Sequence, residues 1–255
     1  MEFPLAAAQA TQFEAVESTG STNTDLIAKA AGLPSFSVLA TGEQVSGRGR
    51  SGRSWETPAG TSMIASVLLR PVGIAPTQFS WLPLIAGLSL ATAVSTFGGS
   101  VRASVKWPND ILIEELKVAG VLSEALADFS GVVIGTGLNV FQTREQLPVE
   151  TASSLSLSGI SVPSIDAVLA EYLKNLQKNY DDFVSCNGEI SGTELLSSLK
   201  NACGTIGRQV RAIMPGDKEI VGDAIDIDDL GRIVISHDGK HTPVSVGDIV
   251  HLRHN

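Results

Sequence analysis

The stretch KVAGVLSEALADFSGVVIGTGLNV, residues 117–140, decides the fold. Its arms, KVAGVLSEAL and GVVIGTGLNV, are rich in Val, Ile and Leu and meet at the turn-forming Asp128-Phe129-Ser130-Gly131, so the stretch reads as a β-hairpin. Antiparallel pairing about that turn makes facing residue numbers sum to about 259 and brings Lys117 and Asn139 to the same end. Gly135 and Gly137 contribute no side chains, so a flat ligand can lie close to the backbone there, with Lys117 at the mouth of the slot. An edge-strand lysine with bulge glycines is the other reading of the same residues.

The rest of the chain follows outward from this hairpin. Residues 36–40 and 62–69 are short strand-type runs. Ser21-Thr22-Asn23-Thr24-Asp25 ahead of LIAKAAG reads as a capped short helix that stops at Gly32. No formal charge occurs from Pro71 to Val101, but Pro76, Pro83, four glycines and many hydroxyls interrupt the run, and it lacks basic flanks. A membrane span is rejected in favour of a helix buried against a sheet, with Leu82, Ile85, Leu88 and Thr92 at helical spacing. Residues 103–107 and 111–114 are strand segments broken at Pro108-Asn109-Asp110, since Pro fixes its backbone and Asn-Asp favours a turn.

Further on, residues 164–184 give an amphipathic helix with Leu169, Leu173, Leu176, Tyr180 and Phe183 on one stripe, and a short helix covers residues 193–202. From Gly204 the texture changes to about five short β-type runs in fifty residues, the pattern of a small barrel. The expected division is therefore 1–203 and 204–255. Within the second part, Asp217, Glu219, Asp223, Asp226, Asp228 and Asp229 read as a solvated face.

Composition limits the function. The chain's 255 residues, 43% apolar and 18% charged, suffice for one core plus a small module and exclude a disordered or fibrous chain. A net charge of −9 argues against a generic nucleic-acid binder, so any polyanion must be met locally. Cys186 and Cys203 are too few for a disulfide framework and lack metal-ligand spacing, which points to a reducing compartment and to small core residues. The opening MEFPLAAAQA has no Lys, no Arg and no signal-type apolar run, so a cytoplasmic location is expected.

The local exception to the acidic balance is GEQVSGRGRSGRSW, residues 42–55. Gly47-Arg48-Gly49-Arg50-Ser51-Gly52 satisfies the dinucleotide pattern G-x-G-x-x-G, but Pro58, Gly60 and a β-type run follow instead of a helix, and no acid stands about twenty residues on. What the loop offers is Arg48, Arg50 and Arg53 on a pliable backbone whose amides can also face an anion. At about 4 Å and an effective dielectric of ~20, each guanidinium–oxyanion pair is of order 4 kcal/mol before desolvation. That is enough to offset ordering of a loop around phosphate or carboxylate. Trp55 offers a stacking face for a flat ligand, or packs in the core. Asp110 beside a phosphate would be repelled, so a functional Asp110 implies a bridging divalent ion, Mg²⁺ with retained waters; an ordinary turn is the alternative.

Taken in order, Ser21-Thr22-Asn23, Gln44 with GRGRSGRSW, KWPND, KVAG and GTGLNV, followed by a small β domain, closely resemble the bacterial biotin protein ligases. The likeness spans residues 18–140 by motif and reaches the C-terminus by layout. It implies an α+β catalytic domain, a mixed sheet flanked by helices like that of class II aminoacyl-tRNA synthetases, followed by an SH3-like β-barrel. It also implies the reaction. Biotin's carboxylate attacks the α-phosphate of Mg·ATP to give biotinyl-5'-AMP, and a lysine of a biotin carboxyl carrier protein domain then takes the biotinyl group. By motif, Ser21, Thr22, Asn23, Gln44, Gly47, Arg48, Gly49, Gly120, Gly137 and Lys117 would form the biotin site. Arg50, Arg53, Trp55, Asn109, Lys117 and Asn139 would bind ATP, Asp110 would hold Mg²⁺, and Lys117, Arg50 and Arg53 would be catalytic.

Two departures from the family pattern stand out. Only about twenty residues precede Ser21, too few for the winged-helix domain that makes some members repressors, so no DNA partner is expected, nor a membrane. Glu114-Glu115-Leu116 is acidic where a basic turn is usual. Three other functions compete: a lipoate or octanoate ligase or transferase of related fold, a non-catalytic biotin sensor, and a nucleotide-dependent dehydrogenase. The sensor reading is opposed by Arg50, Arg53, Asp110 and Lys117, since storage needs no phosphate site.

Overall fold

The computed structural model describes residues 1–55, 57–216 and 218–252, so Asp217 of the acidic run and the end of the second domain from Arg253 lie outside the described residues. The hairpin is the middle of a sheet: β8 (Leu116–Ala125) and β9 (Val132–Asn139) pair antiparallel, with Gly120 opposite Gly137 and Ala125 opposite Val132. The register is two residues tighter than expected. An even shift leaves each residue on its expected face.

Ahead of the hairpin come α1 (Pro4–Ala7), β1 (Gln12–Thr19), α2 (Thr22–Lys29), β2 (Ser37–Gln44), the two-residue strands β3 (Gly47–Arg48) and β4 (Ser54–Trp55), β5 (Ser62–Leu69), α3 (Trp81–Phe97), β6 (Ser104–Lys106) and β7 (Asp110–Ile113). After it come α4 (Ile165–Ser185) and α5 (Glu194–Ala202). The seven-stranded sheet runs β1-β2-β5-β9-β8-β7-β6. Only β1 and β2 are parallel, so the sheet is mixed. β1 has no counterpart among the expected strands, because QFEAVEST on a sheet edge shows no clean apolar alternation; Phe13, Val16 and Thr19 are merely half-buried.

One face of the sheet, the rear, carries Val38, Ala40, Met63, Ala65, Val67, Leu69, Ile134 and Leu138 and packs under α3 and α4. α4 starts where the Ser164 hydroxyl accepts from the Ala167 amide, and its stripe Leu169, Leu173, Leu176, Tyr180 and Phe183 is buried as the spacing predicts. Each such side chain contributes about 1.5–3 kcal/mol through burial. The apolar helix through residues 76–97 is long enough to cross a bilayer, yet 72% of its most apolar window is inside the protein. It is a core helix, although Thr92 is exposed. Cys203 is buried and Cys186 half-buried.

The second part is a five-stranded antiparallel sheet, in the order β13-β12-β11-β10-β14. It is made of β10 (Gln209–Met214), β11 (Lys218–Ile227), β12 (Ile233–His237), β13 (Lys240–Val244) and β14 (Asp248–His251). It is not a loose appendage. Val210, Ala212, Ile233 and Ile235 belong to the same apolar cluster as α3, and the indoles of Trp81 and Trp107 donate to the carbonyls of Asp229 (3.2 Å) and Gly231 (2.9 Å). In the acidic run, Asp226 pairs with Lys200 and Asp228 with Arg232, while Glu219, Asp223 and Asp229 are exposed.

Candidate active site

The front of the sheet is built differently. One register row carries Ile64 of β5, Gly137 of β9, Gly120 of β8, Asp110 of β7 and Lys106 of β6. The next carries Ser66, Gly135 and Leu122. Two glycines at the centre leave a trough, and the acid and amine stand at one end of it. Simple alternation would send Lys117 to the rear with Ala119. A bulge opposite Ile111 and Leu112 inserts Val118, and that re-aims Lys117 to the front. Its Nζ lies 2.6 Å from Asp110 Oδ1 and 5.7 Å from the centre of the Trp55 ring. The backbone of Lys117 pairs with Ala152, so residues 151–153 take the place beside β8 that β9 vacates.

The trough is a cavity of about 360 Å³, within the range of small-ligand sites. Its inner end is a hydrogen-bonded chain of polar side chains. Ser21 caps α2, which presents Thr22 and Asn23. Gln44 Oε1 accepts from the Thr22 amide at 2.9 Å and from its hydroxyl at 3.3 Å. Ser66 Oγ bridges the Thr22 hydroxyl (2.8 Å) and Asn23 Oδ1 (2.6 Å), and Asn23 Nδ2 donates to Glu124 at 2.7 Å. Ser21, Thr22, Asn23 and Ser66 are all buried, so these donors and acceptors are fixed before any ligand arrives.

Over the trough runs the arginine strap, in which β3 and β4 pair Gly47 with Trp55 and Arg48 with Ser54. Gly47 is required there: a Cβ would lie 2.3 Å from the Trp55 carbonyl and 2.4 Å from the Gln44 amide. Arg48 bonds Glu124 at 2.8–2.9 Å, Arg50 donates to Asn109 Oδ1 at 3.1 Å and to the Gly247 carbonyl at 3.5 Å, and Arg53 pairs with Asp248. Burial pushes the Arg50 guanidinium below its ordinary value, against Asp248 and Asp110. Burial does the same to Lys106, with Asp110 opposing. The Trp55 ring lies on Gly137, where a Cβ would come within 2.5 Å of it, and Asn23 lies on Gly135. The space those glycines leave is thus filled by protein side chains here. The Trp55 Nε1 is buried without a partner among the described residues.

Ser21, Thr22, Asn23, Gln44, Arg48, Gly49, Arg50, Arg53, Trp55, Asn109, Asp110, Lys117, Gly120 and Gly137 all line this one cavity. Two expected residues stand apart. Gly47 is packed beneath the strap, and the Asn139 amide is turned to Ser153 (2.9 Å) and Gln142 (3.1 Å), where it holds the loop that follows β9. The sequence reading missed Lys106, Ser66, Glu124 and, from the second domain, Asp248. Ser66 carried a signal, a hydroxyl at the centre of the apolar run SMIASVLL; Glu124 carried another, an acid two steps of two beyond Gly120 on the same strand face. Asp248 carried none, because its place depends on how the domains pack.

Among the described residues no group of three or more His, Cys, Asp or Glu forms a metal cluster. The cavity's carboxylates are Asp110, amid Lys106, Lys117 and Arg50, and Asp248, already paired with Arg53, and this donor set fits an ion that arrives on phosphates and keeps its waters.

The acidic turn ahead of Lys117 has a partner. Glu115 forms a two-bond pair with Arg208 at 2.5 and 2.7 Å and lies 3.5 Å from His251, whose other nitrogen meets the Thr205 hydroxyl at 3.1 Å. Burial pushes Glu115 up, but bonds from Arg208 and His251 outweigh it and hold the carboxyl below its usual range. The acidic turn thus fastens the lysine-bearing strand to the second sheet.

Comparison with known proteins agrees with this construction. Residues 15–139 match the biotin/lipoate A/B protein ligase family and residues 205–252 the biotin protein ligase C-terminal domain. The chain is 37% identical to a biotin–[acetyl-CoA-carboxylase] ligase of Mycobacterium tuberculosis over 95% of this chain and 90% of that one. It is 30% identical to the bifunctional ligase/repressor BirA of Escherichia coli over 90% of this chain and 70% of that one. Among solved structures, the biotin protein ligase of Aquifex aeolicus in complex with biotin and ATP superposes with a TM-score of 0.79 at 25% identity, covering 96% of this chain and all of that one. With both domain matches in sequence order and near-complete coverage of the mycobacterial relative, the chain belongs to the biotin protein ligases of the biotin/lipoate A/B protein ligase family.

Proposed function

We propose that this chain activates biotin with ATP and passes it to a lysine of an acetyl-CoA carboxylase's biotin carrier domain, with the residue roles that follow. The first step joins a biotin carboxylate oxygen to the α-phosphorus and breaks the bond to pyrophosphate. The nucleophile is already an anion, so no general base is required, and the barrier is lowered mainly by cations fixed where charge develops. The neutral side chains of Ser21, Thr22, Asn23 and Gln44 at the inner end would receive the ureido head. Lys117, now on Asp110, would turn its ammonium to the biotin carboxylate and the α-phosphate. Arg50 and Arg53, now on Asn109 and Asp248, would take phosphate oxygens. Mg²⁺, arriving with ATP, would shield the phosphates beside Asp110. Trp55 would leave Gly137 to stack on adenine.

In the second step a neutral acceptor amine attacks the biotinyl carbonyl, the C–N bond forms, the bond to AMP breaks, and the amine's proton passes to solvent. We place the catalytic unit at 1–203 and the small β unit at 204–255; the last helix ends at Ala202 and the second sheet begins at Gln209. ATP use and two free cysteines suit a cytoplasmic setting.

The observation that carries this reading is Lys117 re-aimed by a bulge to one end of a cavity whose other end presents the neutral side chains of Ser21, Thr22, Asn23 and Gln44. The test is exchange of labelled pyrophosphate into ATP in the presence of biotin, lipoate or octanoate. Exchange with biotin alone is expected. Exchange driven by either fatty acid in preference to biotin would assign the pocket to acyl chains instead.

A further inference from the structure

We propose that Glu124 is the latch that keeps the arginine strap closed over the bound acid and its acyl-adenylate. The proposal rests on the biotin-site reading of Arg48 given above.

Among the described residues, and beside the packing of Trp55 on Gly137, three contacts of the strap bear on its closure. At its base Gly47 packs on Gln44, and this contact is enforced by chain connectivity. At its tip Arg53 pairs with Asp248 and Arg50 with Asn109 and the Gly247 carbonyl. Both arginines are assigned to phosphates, so those tip contacts must be released when the nucleotide enters. The third tie is Arg48 to Glu124, with one guanidinium nitrogen between both carboxylate oxygens at 2.8 and 2.9 Å. Neither partner is assigned to the nucleotide. It is the tie that can persist while the site is loaded.

Glu124 is built for this position. It ends the front-facing series Gly120, Leu122, Glu124 on β8, opposite Val133, so a rigid central strand places it. Its other oxygen contact is the Asn23 amide at 2.7 Å, and Asn23 is fixed in turn by Ser66. The strap and the inner wall of the pocket therefore share one carboxylate. Because β3 pairs with β4, holding Arg48 also holds Ser54 and, beside it, Trp55. Arg48 is 47% exposed at its side chain and Glu124 27%, so solvent weakens the pair. A moderate effect on release follows, not an all-or-none one.

The experiment loads the full chain with labelled biotin and Mg·ATP, removes the excess, and follows escape of labelled acyl-adenylate into unlabelled biotin and ATP. Glu124→Gln keeps an acceptor for Asn23 but presents no anion to Arg48. We expect it to speed escape about five- to tenfold, the size of a partly screened charge-assisted bond, and to slow first-turnover adenylate formation at saturating substrates less than threefold. Arg48→Ala should speed escape by a similar factor, and the double variant no more than either single one. If Arg48→Ala leaves escape unchanged, the biotin-site reading of Arg48 fails and the latch with it. If Arg48→Ala speeds escape but Glu124→Gln does not, or if the two factors multiply, the latch alone is overturned. Should Glu124→Gln lose its fold, Arg48→Gln on the exposed strap carries the same measurement: unchanged escape there overturns the latch.

Discussion

The two faces of the central sheet are made by alternate residues of the same strands, and they differ in what they demand of the sequence. On β5, Met63, Ala65, Val67 and Leu69 point to the helices, while Ser62, Ile64, Ser66 and Leu68 point to the front. The rear tolerates any well-packed apolar set, because burial is non-directional. The front tolerates little. Ser66 must hydrogen-bond the Thr22 hydroxyl and Asn23 Oδ1, Gly137 must be bare, and Lys117 reaches the trough only through a bulge. A single strand thus carries a stability surface and a chemical surface at a spacing of one residue, and substitutions on the two should separate folding from catalysis.

The largest expected effect breaks that comparison from behind. Leu173 of α4 is fully buried against the rear face, and Leu173→Ala should cost about 2–5 kcal/mol of stability. Chemical denaturation measures it. The fraction that remains folded should turn over biotin at the parental rate. A folded Leu173→Ala protein with damaged turnover would show that the two faces are not independent.

From the front, Lys117→Ala should slow adenylate formation by about 10²–10³, comparable to loss of one preorganised transition-state contact, and weaken biotin binding less than tenfold. Its stability should be nearly parental, because the side chain is a third exposed. Single-turnover rates beside equilibrium binding of biotin separate the two quantities. Equal loss in both would mean that Lys117 merely holds the vitamin.

How much of this was legible in the sequence follows the same division. The rear face was readable because it repeats: the α4 stripe and the strand runs follow from spacing alone. Thr92, at the right interval on α3 yet exposed, shows that interval without hydrophobicity misleads. The edge strand β1 was invisible because half-burial leaves no alternation. On the front, spacing marked little beyond Glu124, and it was the order of short motifs that pointed to the residues. Those motifs named Gln44, the arginines, Asp110 and Lys117, which line one cavity. They could not supply Glu124 or Asp248, whose roles depend on what lies across the strap, nor say that the amide of Asn139 is engaged with Ser153.

The smallest expected effect lies where the two domains meet the lysine-bearing turn. Burial, reinforced by Lys106, holds His251 below its ordinary value of 6.5, with Glu115 opposing. The unfolded chain therefore takes up a proton on this ring before the folded chain does, and stability falls as pH drops below about 6.5. Glu115 acts in the same direction at lower pH, since its carboxyl is held below 4.5 in the fold and loses its bonds only as acid protonates it. Glu115 and His251 are the groups of this contact whose protonation the fold displaces. Denaturant midpoints measured from about pH 7.5 to 5.5 should fall, and His251→Gln should flatten that fall. His251→Gln should also leave the steeper decline nearer pH 4 in place, because Glu115 keeps Arg208. An unaltered slope above pH 5.5 in His251→Gln would move the sensitivity away from this contact and leave Glu115 and Arg208 as a plain structural pair.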